Sequence, residues 1–220
     1  MVNDVGRTGG QSPMGVRMHH LSDGIAHFRR DVFPAKQQLF AHLATHHRPA
    51  TLFIGCSDAR VTPELITQSE PGELFVVRTA GNLVPAYGPG TDGVAASIEY
   101  AVAVLGVTDI VVCGHSACGA MTALAEGHDL GSAPLIADWL RHADAARARA
   151  HSAPVASAGE SGVATLVRAN VIAQLQNLRT HPSVARALSQ RRLSLHGWVF
   201  DIATGAVETL DESGAVSAAA

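Results

Sequence analysis

The chain is poor in the features that mark specialised protein classes. Of its 220 residues only three are cysteine, 5% are aromatic and 16% are charged. Three cysteines are too few, and odd in number, for a disulfide framework, so a reducing compartment, the cytoplasm, is expected. A net charge of -3, a sequence pI near 6.4 and scattered Lys and Arg leave no basic field for nucleic acid. No stretch approaches the roughly 18 consecutive apolar residues of a membrane span. The first 18 residues carry Gly, Ser and Arg but no apolar segment of the secretory type, so neither a membrane partner nor export is expected. What is present is 47% hydrophobic content, enough for one full-sized core.

The expected organisation is a disordered leader over 1–20, a single domain over 21–210 and a flexible tail over 211–220. Ile25, Phe28, Val32, Phe33, Leu39, Phe40 and Leu43 recur at helical spacing, and Phe33-Pro34 breaks the run into two helices. Strand and helix signals then alternate. Strands are expected at 51–55, 74–77 and 109–113, and helices at about 62, 92–105 and 117–126. Alternation of this kind predicts an α/β fold with a mostly parallel central sheet flanked by helices. Further helices are expected at 134–149, 163–179 and 182–190, with a small-residue linker at 151–159. Leu193 to Ile202 alternates as a strand, and Ala203-Thr-Gly205 reads as a hairpin turn into 207–210. The sheet therefore has about four parallel strands plus an antiparallel edge strand, and residues 22–46 form an N-terminal helical arm.

Chemistry concentrates at Cys56-Ser-Asp58-Ala-Arg60 and His115-Ser-Ala-Cys118. Zinc takes Cys sulfur and His nitrogen in tetrahedral sites, and His115 and Cys118, three apart, can reach one ion from a single turn of backbone. Cys56 arrives from the end of another apolar run, and the carboxyl ends of parallel strands share one crevice. Cys113 lies inside Ile110-Val-Val-Cys113 and reads as a buried small hydrophobe. The fourth metal position is then open to water or taken by Asp58. Arg60 can pin the Asp58 carboxylate and keep it ionised; an Asx turn beside a surface Arg is the ordinary reading of the same residues. Two thiolates lower the Lewis acidity relative to three imidazoles, which predicts activity shifted to alkaline pH.

Taken together, Cys56-Ser-Asp-Ala-Arg60, Pro71 to Arg78, Ala80-Gly-Asn82, Ser97-Ile-Glu-Tyr100 and Gly114-His-Ser-Ala-Cys-Gly119 resemble the β-class carbonic anhydrases, in particular bacterial members associated with cyanate degradation. The similarity runs from about Leu21 to Leu210. It implies a carbonate dehydratase that interconverts carbon dioxide and bicarbonate by zinc-bound hydroxide. One Zn²⁺ per subunit would be held by Cys56, His115 and Cys118, with Asp58 a conditional ligand and Asp58 and Arg60 the catalytic dyad. It further implies a homodimer or higher homo-oligomer, tetramer or octamer, in which the N-terminal arm wraps the partner. Phe75, Ala80, Gly81 and Tyr100 would line the substrate pocket, Phe75 and Tyr100 coming from the partner chain.

Two positions depart from the family's pattern. His47 stands where many relatives carry a substrate-binding Gln, and Thr79 follows Arg78 where relatives favour Asn. His47 is a candidate substrate donor, with an exposed His beyond a helix end as the plain alternative. Most of the twelve histidines are expected at the surface, and none is singled out as a proton shuttle. Two other functions share these residues: hydrolysis of carbon disulfide or carbonyl sulfide on the same fold, and a non-catalytic bicarbonate-sensing zinc protein.

Overall fold

A computed structural model describes residues 14–90, 92–152, 161–211 and 216–218. The chain divides into an N-terminal unit ending at His47 and a main unit beginning at Arg48. In the first, helix α1 (Met14–His27) continues as a wider π-helical turn, Phe28–Val32. A 3₁₀ turn at Pro34–Lys36 then leads to α2 (Gln37–Leu43). The break falls at Phe33-Pro34 as expected, since proline cannot donate to the preceding turn. Phe28, Phe33 and Phe40 gather, with ring centroids 5.4–6.0 Å apart. Leu21 and Ile25 stay about two-thirds exposed. Helix α1 takes in residues 14–20, which the sequence placed in the leader. Residues 1–13 lie outside the described residues.

The main unit is built on one sheet in the order β2-β1-β3-β4-β5-β6. Strands β1 (Thr51–Cys56), β2 (Leu74–Thr79), β3 (Asp109–His115) and β4 (Ser194–Phe200) are parallel. Strand β5 (Val207–Leu210) runs antiparallel to β4, and β6 (Val216–Ala218) antiparallel to β5. The fold is thus α/β and mostly parallel with an antiparallel edge. Central β1 and β3 are apolar on both faces because both are covered. Asp201 closes the β4–β5 turn, its carboxylate accepting from the amide and hydroxyl of Thr204. Val216–Ala218, which the sequence placed in the tail, pairs with β5 as the edge strand. Residues 212–215 and 219–220 lie outside the described residues.

Helices connect the strands. Pro63 opens α3 (Pro63–Thr67), but Thr62 makes no side-chain cap. Asp92 caps α4 (Gly93–Glu99), accepting from the amides of Val94 and Ala95, and a π-helical turn (Tyr100–Leu105) extends it. After β3 comes α5 (Gly119–Glu126). The single helix expected over 134–149 is two, α6 (Pro134–Trp139) and α7 (Asp144–Ser152), separated by a 3₁₀ turn that buries Leu140 and Ala143. Residues 151–152 of the expected linker belong to α7, and 153–160 lie outside the described residues. Ser161 caps α8 (Gly162–Thr180), and α9 (Pro182–Ser189) follows.

Helix α8 buries Val167, Val171 and Leu175 against β3 and β4. A Cβ on Gly114 would stand 2.9 Å from Val171 and 3.0 Å from Val167, so glycine is what lets α8 approach the residue before His115. This packing fixes the C-terminal end of β3, where the chemistry sits.

Candidate metal centre

Cys56 ends β1, His115 ends β3 and Cys118 immediately precedes α5. Their sulfurs and an imidazole nitrogen lie within 4.8 Å of one another, and all three residues are buried. The turn between β3 and α5 brings His115 and Cys118 together with Ala117 in the left-handed region, φ 52°, a conformation that costs a non-glycine residue about 1–2 kcal/mol. Nδ1 of His115 meets the Ser116 carbonyl at 2.9 Å, which fixes that nitrogen as the N–H and leaves Nε2 as the free donor of electrons. Nε2 is fully buried and makes no hydrogen bond of ordinary geometry. A buried nitrogen without a hydrogen-bond partner, within 4.8 Å of two cysteine sulfurs, is the condition a metal ion satisfies.

The site's electrostatics favour the same conclusion. Cys118, and then His115 and the amides of Asp58 and Gly81, hold the Cys56 thiol down at about 4 against the effect of burial. The Cys118 thiol is pushed up because it shares its proton with Cys56 and is buried, although the amides of Met121 and Ala120 in the first turn of α5 favour its anion. Burial opposes charge on His115, but the Cys56 sulfur outweighs it and raises the imidazole. A metal takes cysteine as thiolate and histidine as neutral imidazole, so binding at this cluster would expel protons.

Asp58 sits beside this cluster, its Oδ2 4.0 Å from Nε2 of His115. Arg60 grips both carboxylate oxygens, Nε to Oδ1 at 2.9 Å and Nη2 to Oδ2 at 2.7 Å. Oδ1 also accepts from the Arg60 amide at 2.9 Å, so the Asx turn and the ion pair coexist. The Arg60 bonds hold the Asp58 carboxyl well below the usual carboxylate range. Nη2 of Arg60 further donates to the Ala117 carbonyl at 3.1 Å, tying the dyad to the ligand turn.

Of the remaining predicted residues, Ala80 and Gly81 lie in a 3₁₀ turn (Ala80–Asn82) directly after β2, whose Thr79 is in register with Cys56. Gly81 has φ 73°, and a Cβ there would stand 3.0 Å from that of Ala120. The Ala80 carbonyl accepts from Trp139, and a groove of about 430 Å³ runs past Ser57, Thr79, Ala80, Ile136 and Trp139. Phe75 and Tyr100 do meet, with centroids 5.9 Å apart. Within one chain they are not at the cluster: Phe75 is in register with Leu52, four residues from the Thr79–Cys56 level, or about 13 Å along the strand. His47 ends the N-terminal unit and is exposed. Cys113 is in register with Gly55, one residue before Cys56. Alternation therefore sends its side chain to the opposite face, among Phe53 and Val111, where burial pushes the thiol up to about 12.

Sequence reasoning assigned no role to Arg78, whose guanidinium donates to three carbonyls around the Asp58 turn. A signal was present, because an arginine at the end of the apolar run Leu74-Phe-Val-Val needs partners. Several surface histidines pair locally, His27 with Asp31 and His128 with Glu126.

A parallel α/β sheet carrying Cys, His and Cys at strand ends, with a carboxylate–arginine dyad alongside, defines a metal-dependent enzyme of the β-class carbonic anhydrase type. Residues 51–207 match the family described as carbonic anhydrase. A carbonic anhydrase of Pseudomonas aeruginosa is 60% identical over 194 residues, 88% of each chain. Among solved structures, the β-carbonic anhydrase CcaA superposes with a TM-score of 0.87 at 41% identity, covering 92% of this chain and 100% of that one. A tetrameric β-carbonic anhydrase of Sordaria macrospora gives 0.76 at 32%, covering 92% and 99%. The chain belongs to the carbonic anhydrase family and is a bacterial β-class member.

Proposed function

We propose that this chain hydrates carbon dioxide reversibly to bicarbonate and a proton, with Cys56, His115 and Cys118 holding one Zn²⁺ per subunit. The observation that carries the reading is the orphaned Nε2 of His115, buried within 4.8 Å of two cysteine sulfurs and with the Asp58 carboxylate 4.0 Å away. When bound, zinc supplies a Lewis acid that lowers the pKa of water from about 15.7 toward neutrality.

The protein's own residues supply the rest. Asp58, kept anionic by Arg60, accepts a hydrogen bond from the attacking water and directs its lone pair toward the carbon of CO₂. Arg60 keeps that carboxylate from collapsing onto the metal. Ala80 and Gly81 form one apolar wall for a substrate without charge or net dipole. Phe75 and Tyr100, remote from the cluster of their own chain, complete the pocket of a second copy, which makes a homodimer the smallest competent unit. The exposed Leu21, Ile25 and Phe28 of the N-terminal arm support its role in clasping that copy, and a tetramer or octamer is then a dimer of such units. His47 is assigned to bicarbonate as a hydrogen-bond donor. No described helix is long and apolar enough to cross a membrane, and free Cys113 fits residence in the cytoplasm. Relatives named as carbonic anhydrases favour CO₂ over carbon disulfide or carbonyl sulfide, and an Asp58 engaged by Arg60 speaks against a permanently blocked sensor.

The test is stopped-flow CO₂ hydration for wild type, Asp58→Asn and Cys56→Ser, with zinc measured on each. The expected result is zinc and activity in wild type, zinc without activity in Asp58→Asn, and loss of both in Cys56→Ser. Full activity in Asp58→Asn would remove Asp58 from the reaction.

A further inference from the structure

We propose that Arg78 is a positioning residue for the reaction: its guanidinium clamps the backbone of the Ser57–Val61 turn and thereby aims the Asp58 carboxylate. The inference rests on the assignment of Asp58 to catalysis.

Arg78 is the penultimate residue of β2 and in register with Gly55. Its Nε donates to the Cys56 carbonyl at 2.9 Å, and its Nη2 donates to the carbonyls of Asp58 at 2.6 Å and Val61 at 2.8 Å. These acceptors bracket the turn. Cys56 is the residue entering it, Val61 the residue leaving it, and Asp58 the one at its functional point. No carboxylate is within ion-pair distance of Arg78 among the described residues. An arginine normally takes a carboxylate through its planar fork; here the fork is committed to main-chain oxygens of one short segment.

The segment has few other ties. The Val61 amide donates to the same Asp58 carbonyl at 3.0 Å, and the Ser57 amide donates to the Thr79 carbonyl at 2.9 Å. Arg60 holds the Asp58 side chain, but Arg60 belongs to the turn and moves with it. Among the described residues, its one hydrogen bond beyond the turn is to the Ala117 carbonyl. Arg78, on a strand paired along its full length with β1, gives the turn a fixed external reference. The two arginines therefore act on different parts of one residue. Arg60 sets the charge and rotamer of Asp58, and Arg78 sets where its backbone lies. Lysine could not replace Arg78 fully, since an ammonium is a point charge without the planar fork.

The test compares full-length, zinc-loaded wild type, Arg78→Met and Arg78→Lys by amide hydrogen exchange over residues 57–61, zinc content, and kcat and KM for CO₂ hydration. Exchange is repeated on the metal-free proteins, so that one readout is independent of activity. The expected result for Arg78→Met is exchange about tenfold faster in that segment, unchanged exchange in β3, zinc retained, and kcat about tenfold lower with KM little altered. Arg78→Lys should fall between and carries the test alone if Arg78→Met does not fold. Unchanged exchange in a folded variant, or zinc lost in step with activity, overturns the proposal. Faster exchange with wild-type kcat also overturns it. Asp58→Asn then separates the two failures: if it is inactive only the clamp is wrong, and if it is active the assignment of Asp58 is wrong as well.

Discussion

Oδ2 of Asp58 stands 4.0 Å from Nε2 of His115 while Nη2 of Arg60 holds the same oxygen at 2.7 Å. One carboxylate oxygen thus stands near both the His115 imidazole and the arginine that restrains it. Removing the restraint should let the carboxylate reach the metal. Arg60→Ala is expected to keep zinc, because none of Cys56, His115 and Cys118 is changed, and to lose activity by at least about 10²-fold, the usual scale for a positioned acid–base group. Zinc content and stopped-flow rates on one preparation check this, and full activity would contradict it.

The acid dependence of stability follows from the same pair. The folded Asp58 carboxyl is depressed by Arg60, so its contribution to stability is present above its unfolded value, about 3.9, and is lost as pH falls through the lower folded value. In metal-free protein the urea midpoints of wild type and Asp58→Asn should differ by a constant amount above about pH 5 and converge below about pH 4. Convergence on raising the pH would have the wrong sign.

Cys113 is buried on the face of the sheet opposite Cys56. Cys113→Ala is expected to leave zinc at one per chain and CO₂ hydration unchanged, while lowering unfolding free energy by about 1 kcal/mol through a small cavity. Metal analysis and urea denaturation decide it; zinc loss would make Cys113 a ligand.

Gly114→Ala tests the packing that fixes His115. A Cβ 2.9 Å from Val171 and 3.0 Å from Val167 forces α8 outward, an overpacking cost of about 1–3 kcal/mol. Chemical denaturation should show it, and a stability equal to wild type would mean that α8 does not set this strand end.

Much of the fold, and the gathering of Cys56, His115 and Cys118, was legible in the sequence. Continuous apolar runs at Thr51 and Asp109 read as buried parallel strands, and the spacing of His115 and Cys118 read as a chelate. The demotion of Cys113 followed from its place inside an apolar run, and strand register gives the reason. What escaped depends on third-dimensional neighbours. The Arg78 clamp joins residues 17 to 22 positions apart through backbone oxygens, which no side-chain pattern announces. The helix at 134–149 broke at Leu140 and Ala143 because burying them outweighed the local preference for a continuous α-helix. Edge strand β6 rests on pairing with β5, so Val216–Ala218 had no signal of its own.

The most direct test of the account is CO₂ hydration by one preparation of the wild-type chain before chelation, after chelation and after zinc is returned, between about pH 7 and about pH 9 where a zinc-bound water titrates. The account predicts activity that vanishes with the metal and returns in proportion to zinc bound, reaching its full value at one ion per chain. A zinc-replete protein without CO₂ hydration anywhere in that range would contradict it.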